Sequence, residues 1–213
     1  MNFGIIADGN RRWAKENNVS IPEGHKNGFM AIKNEILPVL QNSKNFNTCT
    51  IYAFSTENWK RSPLEVGNLM KLFGELLDGF QEEVIKNDFK IIHAGRKDRI
   101  PKSLLKKLQN LEKLTESNEQ LKIYLCVDYG GRDEIIRAAQ SADSANNLEK
   151  FLEIPDLDII FRTGGENRLS NFCIWQAAYA EFFFEKKFLP DVKKIDTEKV
   201  ITSFEDRNRR KGK

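Results

Sequence analysis

Apolar, strand-like runs alternate with helical patterns along almost the whole chain, and that alternation constrains the fold more than any other feature. FGIIA opens the chain as a short strand, and TIYAFS at 50 to 55 is a second, rich in β-branched and aromatic residues. FKIIHAG (89–95), LKIYLCV (121–127), LDIIF (157–161) and EFFFE (181–185) continue the series. Between them lie helical patterns. Phe29, Ile32, Ile36, Val39 and Leu40 recur at roughly helical spacing over 28 to 41. Leu69, Leu72, Phe73, Leu76, Leu77, Phe80 and Val84 share one face of a longer helix. Pro101 is well placed to start a helix carrying Leu104, Leu105, Leu108 and Leu111. RDEIIRAA and residues 196 to 209 complete the set. Strands separated by helices predict an α/β fold: a single domain over residues 1–213 with a mainly parallel central sheet flanked by helices.

In such a sheet, ligands bind beyond the carboxyl ends of the strands. The segments that follow the strands are therefore the informative ones. DGNRRW follows the first, STENWKR the second, DYGGR the fourth and RTGGENRLSN the fifth. The third is followed by the thinner AGRKDR. Arg11, Arg12, Arg61, Arg162 and Arg168 should thus share one edge, with glycines that let a backbone approach closely or take a positive φ. Guanidinium groups suit forked recognition of phosphate or carboxylate, so the expected ligand is a polyanion with two phosphates. Asp8 would repel such a ligand unless a cation bridges them, and Mg²⁺ does so with one or two carboxylates plus phosphate oxygens. Taken alone, DGN reads as a turn.

Other chemistries are excluded. There is no GxxxxGK[ST], no GxGxxG and no DDxxD. Neither His25 nor His93 sits in a metal pattern; His25, in a glycine-flanked loop, suits an anion contact, and His93 reads as core or cap. Cys49, Cys126 and Cys173 are scattered, as expected of reduced thiols in a cytoplasmic chain. No leader-like segment or membrane-spanning apolar run is apparent. The net charge is +3, but the basic tail at 207–213, RNRRKGK, accounts for more than all of it and leaves the rest at −2. Charge confined to one end argues against a nucleic-acid binder, which spreads basic residues over a face.

The ordered motifs DGNRRWA, GHKNG, YAFSTENWKR with EV, YGGR, RTGGE, RLSNF with WQAAYAE, and a terminal RRKG resemble those of the cis-prenyltransferases, in particular the bacterial undecaprenyl diphosphate synthases. The resemblance runs from Ile5 to Gly212. It implies Mg²⁺-dependent, sequential cis-condensation of isopentenyl diphosphate onto farnesyl diphosphate, giving undecaprenyl diphosphate, the carrier-lipid precursor of cell-wall polysaccharide. By resemblance, Asp8 is the catalytic carboxylate and metal contact, and Asn58 is the position proposed for proton abstraction. Gly9, Asn10, Arg11 and Arg12 would cradle the allylic diphosphate, with Trp13 and His25 lining the same pocket. Ser55, Thr56 and Glu57 would lie beside the condensing carbons, and Trp59 and Arg61 would shape the substrate site, with Glu65 on a mobile segment after it. Arg162, Arg168, Leu169 and Ser170 would hold isopentenyl diphosphate. Glu181 matches the second metal contact. Arg210 and Gly212 match a tail that reaches a partner's active site in a homodimer. The product needs an apolar cleft, for which the 69–84 face, Leu104, Leu108, Leu121 and Ile123 are available. A lipid product suggests cytoplasmic work at the inner membrane face, through peripheral contact.

Several positions depart from the family pattern. Ala7, Arg11 and Asp128 replace the usual methionine, glycine and asparagine. Ile21 stands near a usual arginine, and Asn167 where a histidine is common. The stretch from 138 to 156 is shorter than in many relatives. Shorter-chain synthesis, a noncatalytic subunit of a two-component enzyme, and a basic-tailed RNA-binding module are the alternatives.

Overall fold

Strand–helix alternation becomes a six-stranded sheet in the order β3-β4-β2-β1-β5-β6, with every neighbouring pair parallel. The computed structural model describes residues 1–207. The strands are β1 (Asn2–Ile6), β2 (Thr48–Ser55), β3 (Phe89–Ala94), β4 (Leu121–Tyr129), β5 (Ile159–Arg162) and β6 (Glu181–Phe184). Central strands of a parallel sheet are covered on both faces and read as nearly continuous apolar runs. NFGII and IIFR do so. Alternate residues divide between two cores. Phe3, Ile5, Ile51, Ile91, Ile123 and Phe161 join the larger one, which packs under the helices. Ile6, Tyr52, Cys126 and Ile160 join a smaller core with Phe172 and Cys173 on the other face.

Seven α-helices are present among the described residues: α1 (Asn10–Glu16), α2 (Ile21–Ala31), α3 (Leu37–Ser43), α4 (Pro63–Lys86), α5 (Lys102–Leu114), α6 (Gly131–Ser141) and α7 (Lys194–Glu205). Three differ from the sequence expectation. The helix expected over 28–41 begins at Ile21, because the Ser20 hydroxyl accepts the Glu23 N–H at 3.3 Å and Pro22 suits the first turn. It runs on through a π turn, Ile32–Ile36, into α3. Pro38 cannot donate to the carbonyl four residues back, and the ladder widens just before it so that Leu37 N–H reaches Ile32 O. The DGN turn is followed at once by α1, whose N-cap Gly9 has φ 101°. α7 ends at Glu205 rather than 209.

α4 is set by local signals. The Ser62 hydroxyl accepts the Glu65 N–H at 3.3 Å, and Pro63 takes the first turn. Its buried face includes Val66, Leu69, Leu72, Leu77, Phe80 and Val84. Each such side chain contributes about 1.5–3 kcal/mol of burial. Phe73 and Leu76, expected on the same face, are only half-buried. They border an internal cleft instead. Leu121 and Ile123 are fully buried strand core and do not line it.

Candidate active site

The carboxyl ends of β1, β2 and β5 meet at the mouth of that cleft. Asp8 stands two residues past the end of β1, and neighbours on both sides fix it. Its N–H donates to Thr163 Oγ1 at 3.0 Å, and the same hydroxyl donates back to Asp8 O at 2.7 Å. Asp8 Oδ2 accepts from Arg162 Nη2 at 2.8 Å, and Oδ1 accepts the Gly9 N–H at 2.6 Å and lies 3.3 Å from Arg12 Nη2. Gly9 is required twice over: its φ is positive, and a Cβ there would sit 2.6 Å from the Phe188 ring.

Arg162 is buried, with 4% of its side chain exposed. Its Nη1 donates to Ser170 Oγ at 2.9 Å and to the Arg168 carbonyl. One guanidinium thus ties the first strand's exit to the 168–170 loop. The other arginines are each shared with a carboxylate: Arg11 and Arg61 lie 3.5 and 3.2 Å from Glu65, and Arg12 and Arg168 lie 3.7 and 2.7 Å from Glu166. Arg12 also stacks over Phe188 at 5.1 Å.

His25 faces the same mouth. Asn10 Nδ2 lies 3.3 Å from His25 Nδ1, and this contact makes Nδ1 the acceptor and leaves the proton on Nε2. Nε2 is buried without a partner among the described residues. Burial first, and then the positive charges of Arg61 and Arg11, lower the His25 pKa from 6.5 to about 4. The ring is therefore a neutral donor at physiological pH.

Two adjoining cavities open here. One, of about 680 Å³, is bordered by residues 7–12, His25 and Arg61. The other, of about 270 Å³, joins Asp8, Asn10, His25, Ser55, Asn58, Arg61, Arg162 and Ser170 to an apolar interior of Phe73, Leu77, Phe80, Leu104 and Leu108. A cationic mouth on an apolar bore fits a ligand with an anionic head and a hydrocarbon tail.

The sequence comparisons agree with that chemistry. Residues 6–212 match the family model described as "Putative undecaprenyl diphosphate synthase". The chain belongs to this prenyltransferase family. An isoprenyl transferase of Rickettsia typhi is 39% identical over 221 residues, covering 99% of this chain and 97% of that protein. Among solved structures, lavandulyl diphosphate synthase from Lavandula x intermedia, in complex with dimethylallyl diphosphate, superposes with a TM-score of 0.91 at 31% identity, covering 100% of this chain and 98% of that one. A Campylobacter jejuni chain described as "a probable undecaprenyl diphosphate synthase" gives 0.86 at 30% identity, covering 100% and 98%. The chain is thus a transferase of isoprenoid biosynthesis, and prenyl diphosphates are the substrate class that membership implies.

Other residues singled out in this prenyltransferase sit behind the mouth. Asn58 borders the cleft, but its amide oxygen accepts the Ser55 N–H at 3.1 Å, capping the 3₁₀ turn Thr56–Lys60. Glu57 binds Asn171 Nδ2 at 2.8 Å and Thr56 Oγ1 at 3.2 Å. Burial alone would raise the Glu57 pKa, but hydrogen bonds from Asn171, its own backbone, Ser55 and Thr56 outweigh it and the net shift is downward. Trp59 does not line the cleft, and its Nε1–H donates to Asp128 Oδ1 at 2.7 Å. Trp13 binds Asp191 Oδ1 at 2.8 Å outside both cavities. Leu169 packs on the smaller core. Thr163 and Glu166 lie inside the RTGGE motif but had no assigned role; here they hold Asp8 and pair with Arg12 and Arg168. Arg210 and Gly212 lie outside the described residues.

Glu181, expected as a second metal contact, lies apart from Asp8 within one chain. Glu181 is the first residue of β6, in register with Ile159, whereas Asp8 lies past the carboxyl end of β1. The strand from Glu181 to Phe184, in register with Arg162, spans roughly 10 Å at 3.3 Å per residue. The Glu181 carboxylate pairs with Arg207 instead. Within one chain the two carboxylates do not converge, and among the described residues no three His, Cys, Asp or Glu side chains form a metal cluster. Asp8, 31% exposed at its side chain and facing the cleft, still fits Mg²⁺ shared with ligand phosphates, a cation that needs only one or two carboxylates.

Proposed function

We propose that the protein condenses isopentenyl diphosphate onto farnesyl diphosphate in successive cis additions to give undecaprenyl diphosphate, with Mg²⁺ as cofactor. The observation that carries this reading is the single cleft in which Asp8, Arg162 and Ser170 border the same space as Phe80, Leu104 and Leu108. The allylic tail enters the apolar bore. Its diphosphate lies at the mouth, where His25 Nε2–H and the guanidinium groups of Arg11, Arg12 and Arg61 offer donors. Asp8 would hold the cation, which when bound offsets charge on the departing diphosphate. Arg162 orients Asp8 and draws the Ser170 loop toward it, so that the isopentenyl diphosphate meets the allylic carbon in a fixed geometry. The C–O bond breaks with its electron pair going to diphosphate, the isopentenyl double bond supplies the new C–C pair, and one proton passes from the isopentenyl unit to the departing diphosphate as its C–H pair forms the new double bond. Asn58 holds the Ser55 turn beside that proton.

The tail residues Arg210 and Gly212 complete a partner's site in a homodimer, and the lipid product brings the protein to the cytoplasmic membrane face. Among the described residues no helix is long and apolar enough to cross a membrane. A shorter product is the second reading, favoured by the cleft's volume of about 270 Å³. Incubation with farnesyl diphosphate, radiolabelled isopentenyl diphosphate and Mg²⁺ decides between them. An EDTA-sensitive ladder ending near eleven isoprene units supports the first reading and an earlier endpoint the second; no incorporation refutes both.

A further inference from the structure

The apolar cleft is lined by one charge away from its mouth. Lys33 borders it beside Phe29, Leu76, Phe80 and Leu108, about two helical turns on from His25. Lys33 lies in the π turn Ile32–Ile36. Single wide turns of this kind inside a helix are concentrated at functional sites. The Lys33 ammonium pairs with Glu83 at 2.5 Å and lies 6.0 Å from the Phe80 ring centroid. Phe80 in turn packs edge-on against Phe29, with ring centroids 5.4 Å apart. Lys33 lines the cleft and Glu83 does not, and they are 19% and 28% exposed, so the pair stands between the cleft wall and solvent.

We propose that the Lys33–Glu83 ion pair is a polar latch in the wall of the cleft, and that a growing product passes it only by parting it. The inference rests on the reading of the protein as an elongating synthase. From His25 at the mouth to Lys33 the helical backbone climbs roughly 12 Å. An extended peptide covers ~3.5 Å in three bonds, so an isoprene unit of four chain bonds covers roughly 4–5 Å and a farnesyl tail roughly 13 Å. The starting substrate therefore already reaches the latch. Every later unit needs room that a cleft of about 270 Å³ does not have. A wall of interdigitated core side chains resists such a chain, whereas a partly exposed ion pair contributes little to stability and re-forms behind it. The position of the latch makes Lys33 and Glu83 length-determining residues that leave the reacting atoms untouched.

The test compares product-length distributions from farnesyl diphosphate and radiolabelled isopentenyl diphosphate in the full-length protein. Lys33→Ala and Glu83→Ala should each lengthen the mean product by one or more units, with incorporation in the first condensation kept within about threefold. The charge-swapped double variant, Lys33→Glu with Glu83→Lys, should return the wild-type distribution. Leucine at both positions replaces the latch by an apolar seal and should shorten the product. Raising the salt concentration, which screens the pair, should lengthen the wild-type product and leave that of Lys33→Ala unchanged. Normal total incorporation with one unchanged length distribution in all variants overturns the latch alone. Absence of incorporation in the wild-type protein overturns the synthase reading and the latch with it.

Discussion

Asp128 offers the sharpest test of how the site is held. The family usually has asparagine at this position, and here the carboxylate is fully buried. It accepts Arg99 Nε at 2.8 Å, Arg99 Nη2 at 2.5 Å and the Trp59 indole N–H at 2.7 Å. Arg99 also lies over the Trp59 ring at 5.7 Å. Trp59 belongs to the same turn as Asn58, and Arg61 follows it. Removing one partner of a buried ion pair costs about 3–5 kcal/mol. Arg99 is 37% exposed and regains water, so the lower end applies. The backbone adds a second cost: Asp128 has φ 54°, which Asp and Asn tolerate better than Ala, by about 1 kcal/mol. Asp128→Ala should therefore lose about 4 kcal/mol. At ~2–4 °C per kcal/mol for a chain of this size, that lowers Tm by roughly 8–16 °C. Asp128→Asn keeps the acceptor for Trp59 and the tolerated backbone but loses the charge and the Oδ2 acceptor for Arg99 Nε, about 1.5–3 kcal/mol. Urea unfolding at constant m, with kcat and KM measured alongside, separates the two. Arg99→Ala in both backgrounds should give a coupling of about 1–3 kcal/mol. Equal losses for Ala and Asn, or no coupling to Arg99, would refute the argument that Asp128 acts through its charge.

Three further expectations concern the mouth. Asp8→Asn should lower kcat by at least about 10²-fold, the scale of losing one charge-stabilising group, while Tm falls by only about 2–8 °C, because Arg162 loses its charge partner (about 1–2 kcal/mol) but Thr163 still holds the backbone; a rate within tenfold of wild type removes Asp8 from the chemistry. His25 should make folding acid-sensitive. Its folded pKa of about 4 lies below its unfolded value of 6.5, so between these the unfolded chain binds more protons. Stability is then complete above pH 6.5 and falls by roughly 3 kcal/mol as pH drops toward 4. Urea midpoints across that window check it, and His25→Gln should flatten the slope. Deleting residues 208–213 should raise KM for isopentenyl diphosphate several-fold in steady-state kinetics; an unchanged KM would detach the tail from the site.

The parts of this molecule written in local periodicity were legible in its sequence, and those made by tertiary meeting were not. Period-two and period-3.6 apolar patterns are local, and they give six parallel strands with helices between. The rule that ligands gather at strand exits then collects Asp8, Arg61, Arg162 and Ser170 without any coordinates. α1 escaped because DGN is equally good as a turn, and a seven-residue helix leaves almost no periodicity to read. Trp59 read as a substrate wall because its motif neighbours are. Its actual partners, Arg99 and Asp128, lie 40 and 69 residues away, and the β2–β4 and β3–β4 pairings together bring them beside it. The separation of Glu181 from Asp8 within one chain was hidden for a related reason. Its motif marks a residue type, but which end of a parallel strand it occupies is decided by register.

The carboxylates at the mouth then acquire a purpose that no motif states. Five arginines on one edge would repel one another in the absence of ligand. Glu65 serves Arg11 and Arg61, Glu166 serves Arg12 and Arg168, and Asp8 serves Arg12 and Arg162. The cationic edge is thereby held in place before any diphosphate arrives, and side chains already ordered lose less freedom on binding. The same carboxylates compete with the ligand for each guanidinium. Affinity is reduced by that competition, and under the proposed function it must be, because successive additions would each require one diphosphate to be released. Glu65 follows Arg61 by one helical turn and Glu166 precedes Arg168 by two residues, so each competitor is carried by the segment it discharges. A lone carboxylate among arginines is thus no contradiction. It is what lets an anion site empty itself.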